Sequence, residues 1–267
     1  MKETPLMTEL RTTQSLSQDD LDRFGSDPRS TFAANLASVR ERIDQACQRS
    51  GRPHESVRLL PITKTVPAHI LRCAFEAGIR DFGENKIQEA QGKLEALHDL
   101  SIYWSIVGHL QTNKAKYLTR FASEFQALDS TKLAHELNKR LEREERDLDV
   151  FIQVNTSQEA SKFGLEPSEV DAFIDTLQQY PRLKPKGFMT LALFSSDMNK
   201  VRPCFRLLRE IRDRTVKAYP QIEKLSMGMS GDFEAAIEEG ADVVRVGQAI
   251  FGKRPTPDSY YWPEAAI

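Results

Sequence analysis

Three short stretches of this 267-residue sequence carry residue types that could act together as one chemical site. The first is Leu59-Leu60-Pro61-Ile62-Thr63-Lys64-Thr65, an apolar run that ends on a lysine and leads into Val66-Pro67. Its length and apolar content predict a buried strand over residues 57–63, so Lys64 falls where the chain leaves the core. A (β/α) barrel keeps its chemistry at that end of its strands. Desolvation there disfavours the ammonium form, and a neutral amine can attack a carbonyl to form a Schiff base. The plainer reading is a rim lysine whose stem packs on the barrel while its charge reaches water. This stretch alone does not decide between the two.

The other two stretches offer an anion site. Met227-Gly228-Met229-Ser230-Gly231-Asp232 lies between a predicted strand and a predicted helix, and its glycines let main-chain N–H groups approach an anion at a helix start. In Val244-Arg245-Val246-Gly247-Gln248-Ala249, Gly247 takes the equivalent place after the next strand. Loops after the seventh and eighth strands commonly form the phosphate site of such barrels, although glycines there also serve as plain turns. Arg245 either ligates the phosphate as well or projects inward from its strand. A Schiff-base lysine and a phosphate cradle together would hold an aldehyde that carries a phosphate, and pyridoxal 5′-phosphate has that chemistry.

The elements that must position these residues alternate in period along the chain. Strands are predicted over 57–63, 79–82, 103–107, 125–128, 148–154, 187–191, 225–227 and 243–246, with helical stretches between them and a further helix over 31–49 ahead of the first strand. Connections of that length are too long for hairpins and imply parallel pairing. The economical solution is α/β: a single (β/α)8 TIM barrel over residues 29–254. A doubly wound open sheet is the alternative, but no GxGxxG follows an early strand. Residues 1–28, rich in Ser, Thr, Gln and Asp, read as a mobile N-terminal extension without chemistry. Residues 255–267, with prolines and aromatics, read as a C-terminal tail lying over the barrel's outside.

Composition excludes several classes of function. With 37 Lys+Arg against 39 Asp+Glu the formal charge is −2, so no global field attracts nucleic acid or an anionic membrane. No secretory h-region and no membrane-length apolar stretch is present, and Cys47, Cys73 and Cys204 have no CxxC spacing. Free thiols in a reducing compartment are expected, hence a cytoplasmic protein, with Cys47 and Cys73 in the core. His109 borders the mouth in this reading. His54, His69, His98 and His135 read as surface residues, without metal-ligand spacing. Lys114, Lys116 and Arg120 read as a solvated helix face.

Taken in order, Ile62-Thr63-Lys64-Thr65, Phe82-Gly83-Glu84-Asn85 with Gln88-Glu89, Gly108-His109-Leu110-Gln111-Thr112-Asn113-Lys114, Val154-Asn155-Thr156-Ser157 with Ser161-Lys162-Phe163-Gly164, Gly187-Phe188-Met189-Thr190, Met227 to Phe233, and Val244-Arg245-Val246-Gly247 with Ile250-Phe251-Gly252 resemble the motifs of the YggS/PROSC family of pyridoxal phosphate-binding homeostasis proteins. The set spans residues 30–254. The resemblance implies a barrel of the alanine racemase N-terminal type with pyridoxal phosphate on Lys64. It also implies phosphate contacts from Ser230, Gly231 and Gly247, a place for Asn85 near the ring, and Arg245 facing the pyridine nitrogen. The sequence departs from the family pattern in its N-terminal extension, in Phe188 where another aliphatic residue is usual, and in Phe163 where a histidine is frequent.

Two functions follow from such a site. One is a protein that holds pyridoxal phosphate reversibly for vitamin B6 homeostasis and meets apoenzyme clients transiently; it is expected to be a monomer, without catalysis. The other is an amino-acid racemase or decarboxylase using the same bond. An arginine at the pyridine nitrogen resists ring protonation and weakens the electron sink that carbanion chemistry needs, although racemases of similar fold also use one. The family's racemases bring a tyrosine base on a second domain, for which residues after Arg254 are too few. A class I aldolase acting on a phosphosugar is a third, weaker reading.

Overall fold

The computed structural model describes residues 16–159 and 162–255. Two helices, α1 (Gln18–Phe24) and α2 (Pro28–Arg49), precede β1 (Arg58–Pro61). There follow α3 (Ala68–Glu76), β2 (Asp81–Glu84), α4 (Ile87–Ala96), β3 (Tyr103–Ile106), α5 (Ala115–Leu118), β4 (Glu124–Leu128), α6 (Thr131–Arg143) and β5 (Leu148–Gln153). The chain continues through α7 (Val170–Leu177), β6 (Leu183–Met189), α8 (Met198–Thr215), β7 (Lys224–Ser226), α9 (Phe233–Glu238), β8 (Val243–Val246) and α10 (Gln248–Phe251). All strand pairs are parallel, and the order along the sheet is β1-β8-β7-β6-β5-β4-β3-β2. The wall closes between β1 and β2 through an Ile62–Gly83 bridge, where the Thr63 N–H donates to the Gly83 carbonyl at 2.9 Å. The expected (β/α)8 barrel is therefore what forms.

The sequence builds these elements by ordinary means. In α2, Asp27 caps the start with its side chain on the Ser30 N–H, Pro28 stands in the first turn, and Phe32, Leu36, Val39 and Ile43 form the buried stripe. Helix α6 starts on the Ser130 cap and buries Leu133, Leu137 and Leu141. Strands β4 and β8 are buried along their whole length, as strands covered on both faces must be. At Gly187 the main chain of β6 passes so close to β7 that a Cβ would stand 1.8 Å from the Lys224 carbonyl oxygen. Only glycine fits there.

Several expectations need correction. The first 28 residues are not uniformly an extension without order: Ser17 and Asp20 make a capping box, and α1 lays Phe24 into the core edge-on to Phe32. Asp20 also reaches His69 of α3 at 2.9 Å, so that histidine is not a plain surface residue. Strand β2 begins two residues later than expected, because Ile79 is used as a buried anchor before the strand. Strand β6 begins at Leu183; the outward Lys184 and Lys186 and the proline at a register shift disguise its first half. Helix α10 was not anticipated. The expected tail at 255–267 lies, but for its first residue, outside the described residues. Cys47 and Cys204 are buried and Cys73 is half-buried, all three free. Among the described residues no helix is long and apolar enough to cross a membrane, and no cluster of His, Cys, Asp and Glu could hold a metal ion.

Candidate functional site

The six residues singled out from the sequence stand at the C-terminal ends of four neighbouring strands. Around the wall these run β2, β1, β8, β7. Asn85 follows β2, Lys64 follows β1, Arg245 lies in β8 with Gly247 just past it, and Ser230 and Gly231 lie in the turn after β7. Register places Arg245 opposite Leu60 and Val246 opposite Pro61. Lys64 and Gly247 line one cleft, together with Thr65, Gln248, Arg23 of α1 and Phe251 of α10.

Lys64 is half-buried rather than enclosed, and its loop is held from below. Thr65 adopts a left-handed conformation, φ 64°, which costs a β-branched residue energy and must be held by its surroundings. Its N–H donates to Glu89 at 2.6 Å, and its carbonyl accepts from Arg23 at 3.0 Å. On the other side of Lys64, Thr63 donates its hydroxyl to Glu84 at 2.5 Å, while its carbonyl accepts from the Lys93 ammonium at 2.8 Å. Burial pushes the Glu84 carboxyl up to about 7, although Lys93 beside it favours the charged form. One oxygen of that carboxyl has no hydrogen-bond partner.

The turn after β7 is open where an anion would bind. Gly228 takes φ 93°, and a Cβ there would collide with Phe233 and Ala236, so the chain turns sharply onto α9. The Asp232 carboxylate accepts from the Met229 N–H at 2.5 Å, and burial raises its pKa. A Cβ on Gly231 would meet nothing within 4 Å, whereas one on Gly247 would stand 3.1 Å from the Ile62 carbonyl oxygen. Among the described residues, no protein group accepts from the N–H groups of Ser230, Gly231 or Gly247. Three such main-chain donors on two adjacent turns, with open space beside Gly231, fit a phosphate.

Arg245 is buried and points into the barrel. Its guanidinium donates through Nη1 to Ser226 Oγ and through Nη2 to the Thr190 carbonyl, both at 2.7 Å. Desolvation lowers its pKa to about 10, with Asp232 acting in the opposite direction. It remains a cation at neutral pH, with three of its five donors outside those two bonds. The inward reading of this side chain is the one the structure takes. Asn85 is half-buried, and its carbonyl is packed so closely under Gly108 that a Cβ there would stand 2.2 Å away. Next to it on the rim, His109 stacks on Phe163 with ring centroids 3.8 Å apart and lies 3.3 Å from Asp129. Phe163 therefore joins the loop after β5 to that after β3.

Sequence reasoning missed what supports the six. Glu84, Glu89 and Lys93 lock the Lys64 loop, Arg23 reaches it from α1, and Thr190 and Ser226 hold Arg245. Spacing did carry a signal for Lys93, four residues after Glu89 on one helix face. The same spacing on a solvated helix looks no different.

Residues 34–255 match the family model of the alanine racemase N-terminal domain. A pyridoxal phosphate homeostasis protein of Aquifex aeolicus is 42% identical over 220 residues, covering 82% of this chain and 96% of the relative. The solved structure of PipY from Synechococcus elongatus PCC7942, with PLP bound, is 32% identical with a TM-score of 0.72, over 83% of this chain and 100% of that one. Alanine racemase of Clostridium difficile 630 is similar in fold, with a TM-score of 0.68 at 12% identity, over 86% of this chain and 58% of the racemase.

Proposed function

Because the chain belongs to the family of pyridoxal phosphate homeostasis proteins, on the barrel of the alanine racemase N-terminal domain, we propose that it holds pyridoxal 5′-phosphate on Lys64 and serves vitamin B6 homeostasis without substantial turnover. When bound, the cofactor supplies an aldehyde carbon that a lysine amine takes up reversibly and a pyridine ring that withdraws electrons. The observation that carries the reading is the placement of Lys64, Arg245, Gly247 and the Ser230–Gly231 turn at the C-terminal ends of the adjacent strands β1, β8 and β7. It is supported by the Aquifex relative's name and by PipY, a structure with PLP bound.

Each residue has a distinct task in this reading. Ser230, Gly231 and Gly247 bind the phosphate by main-chain N–H groups, with the Ser230 hydroxyl as a further donor. The Lys93 network fixes the main chain on both sides of Lys64 and so orients its amine. Asn85 borders the ring, held in place by Gly108. Arg245, a donor that stays charged at neutral pH, faces the pyridine nitrogen and keeps it unprotonated, which favours storage over carbanion chemistry. We further propose a monomer in the cytoplasm that passes cofactor to transient apoenzyme clients; the three free thiols agree with a reducing compartment.

The test is to add pyridoxal phosphate to the purified protein, record its visible spectrum, reduce with borohydride and map the pyridoxyl group. Attachment to Lys64, lost in Lys64→Ala with the fold retained, is the expected result. A label on another lysine overturns the assignment. A protein that takes up no cofactor overturns the function.

A further inference from the structure

A chain of hydrogen bonds crosses the barrel interior from Arg245 to the opposite end. Arg245 Nη1 donates to Ser226 Oγ at 2.7 Å, Ser226 Oγ donates to Gln126 Oε1 at 2.7 Å, and Gln126 Nε2 donates to Glu124 Oε1 at 2.6 Å. Glu124 then accepts from Ser105 at 3.0 Å and from Arg58 at 2.7 and 2.8 Å. Gln126 and Ser226 are wholly buried, so bulk water does not relieve an unmet partner.

The direction of every bond in this chain is fixed by its ends. A guanidinium only donates and an ionised carboxylate only accepts. Glu124 therefore takes the amide N–H of Gln126, which turns the amide oxygen toward Ser226. That oxygen takes the single Ser226 proton. The serine lone pairs are then left for Arg245, and the guanidinium is pinned. If Gln126 could not accept, the Ser226 O–H would be free to rotate and its lone pairs would no longer be held toward Nη1. Gln126 and Glu124 are two apart in a strand and share one face.

We propose that Gln126 is a positioning residue for Arg245, setting the direction in which the guanidinium is presented to the pyridine nitrogen of bound pyridoxal phosphate. This rests on the function proposed above and adds to it a residue remote from the cofactor that tunes it. Gln126→Leu keeps bulk but breaks the chain. Gln126→Glu keeps it, because two carboxyls this close share one proton. The introduced O–H donates to Glu124 while the second oxygen accepts from Ser226.

The experiment compares wild type, Gln126→Leu, Ser226→Ala and Gln126→Glu in their affinity for pyridoxal phosphate and for its 1-deaza analogue, whose ring nitrogen is replaced by carbon. The first two substitutions should weaken pyridoxal phosphate binding roughly tenfold, the scale of one good hydrogen bond to a charged group, and leave the analogue's affinity within about twofold on that scale. Gln126→Glu should restore it. Equal losses for both ligands, or no loss for either, overturn the proposal. A cofactor-free readout separates it from the function itself: exchange of the Arg245 guanidinium protons, followed by 15N NMR, should quicken in Gln126→Leu and slow again in Gln126→Glu. Unchanged exchange overturns the proposal even if the cofactor binds. Wild type that binds no pyridoxal phosphate overturns the function while leaving this readout to decide the assignment.

Discussion

Lys93 Nζ sits 2.6 Å from Glu84 Oε1, an ion pair sealed beneath the loop that carries Lys64. The same ammonium donates to Glu89 at 2.6 Å and to the Thr63 carbonyl at 2.8 Å. One cation from α4 thus ties β1, β2 and its own helix together at the rim. Replacing it by a neutral side chain takes the cation from Glu84 and Glu89, which keep only the Thr63 hydroxyl and the Thr65 N–H as donors, and from the Thr63 carbonyl. Lys93→Met should cost about 3–5 kcal/mol, the usual penalty for stranding a buried charge. Urea unfolding measures it, and a loss below about 1 kcal/mol, the scale of an exposed pair, would show that this cation is not needed for the fold.

Glu84 gives stability a dependence on pH of definite sign. Burial raises its carboxyl from the ordinary 4.5 to about 7. Between those values the folded protein binds more protons than the unfolded chain, so stability falls as pH rises. The contribution is fully present below the unfolded value and is lost through the folded one. Glu84→Gln removes that slope, on the order of 3 kcal/mol across the window. Chemical denaturation at pH 5 and pH 8 should therefore show the variant gaining on wild type at the higher pH. Parallel behaviour of the two proteins would refute the raised value.

The turn after β7 distinguishes a main-chain phosphate site from a side-chain one. Since a Cβ on Gly231 meets open space, Gly231→Val should fold normally and still fill the place proposed for the phosphate. It should weaken cofactor binding more than Ser230→Ala, which removes only a hydroxyl, worth about 1 kcal/mol or fivefold. Titration with pyridoxal phosphate and with pyridoxal checks this: wild type that binds the two equally well has no phosphate site.

The barrel and the ends of its strands were readable because the chain repeats one unit eight times and marks its turns with glycine. Lys64 was visible as a lysine straight after an apolar run. The supporting network was not visible, since Glu84 and Lys93 look like polar residues at a strand end and on a helix face until packing covers both. In β4 the pattern was partly readable: Glu124 and Gln126 interrupt a strand buried on both faces, which demands partners inside the barrel. Those partners come from β1, β3 and β7, and only the closed wall brings them together. Helix α1 escaped notice because it buries one apolar side chain, Phe24, and its Ser17–Asp20 capping box is common in loops as well.

Loaded protein should show no turnover of amino acids at enzyme rates. Removing the Cα proton needs an acid or base within hydrogen-bond reach as well as the cofactor. Among the described residues no tyrosine stands at the ends of β1, β2, β7 or β8. Tyr103 is exposed at the start of β3, Tyr117 lies on α5, Tyr180 follows α7 against His135, and Tyr219 is bonded to Asp175. The imidazole on the rim, His109, is stacked on Phe163 with its Nδ1 toward Asp129. At the proposed site a charged Arg245 would withhold the ring proton that would make up for a poor base. Single-enantiomer amino acids incubated with the loaded protein in deuterated water should keep their Cα hydrogen, their configuration and their carboxylate, while exchanging slowly with Lys64 for the cofactor. Exchange or inversion at about one per second or faster, abolished by Lys64→Ala, would make this protein an enzyme and the storage reading wrong.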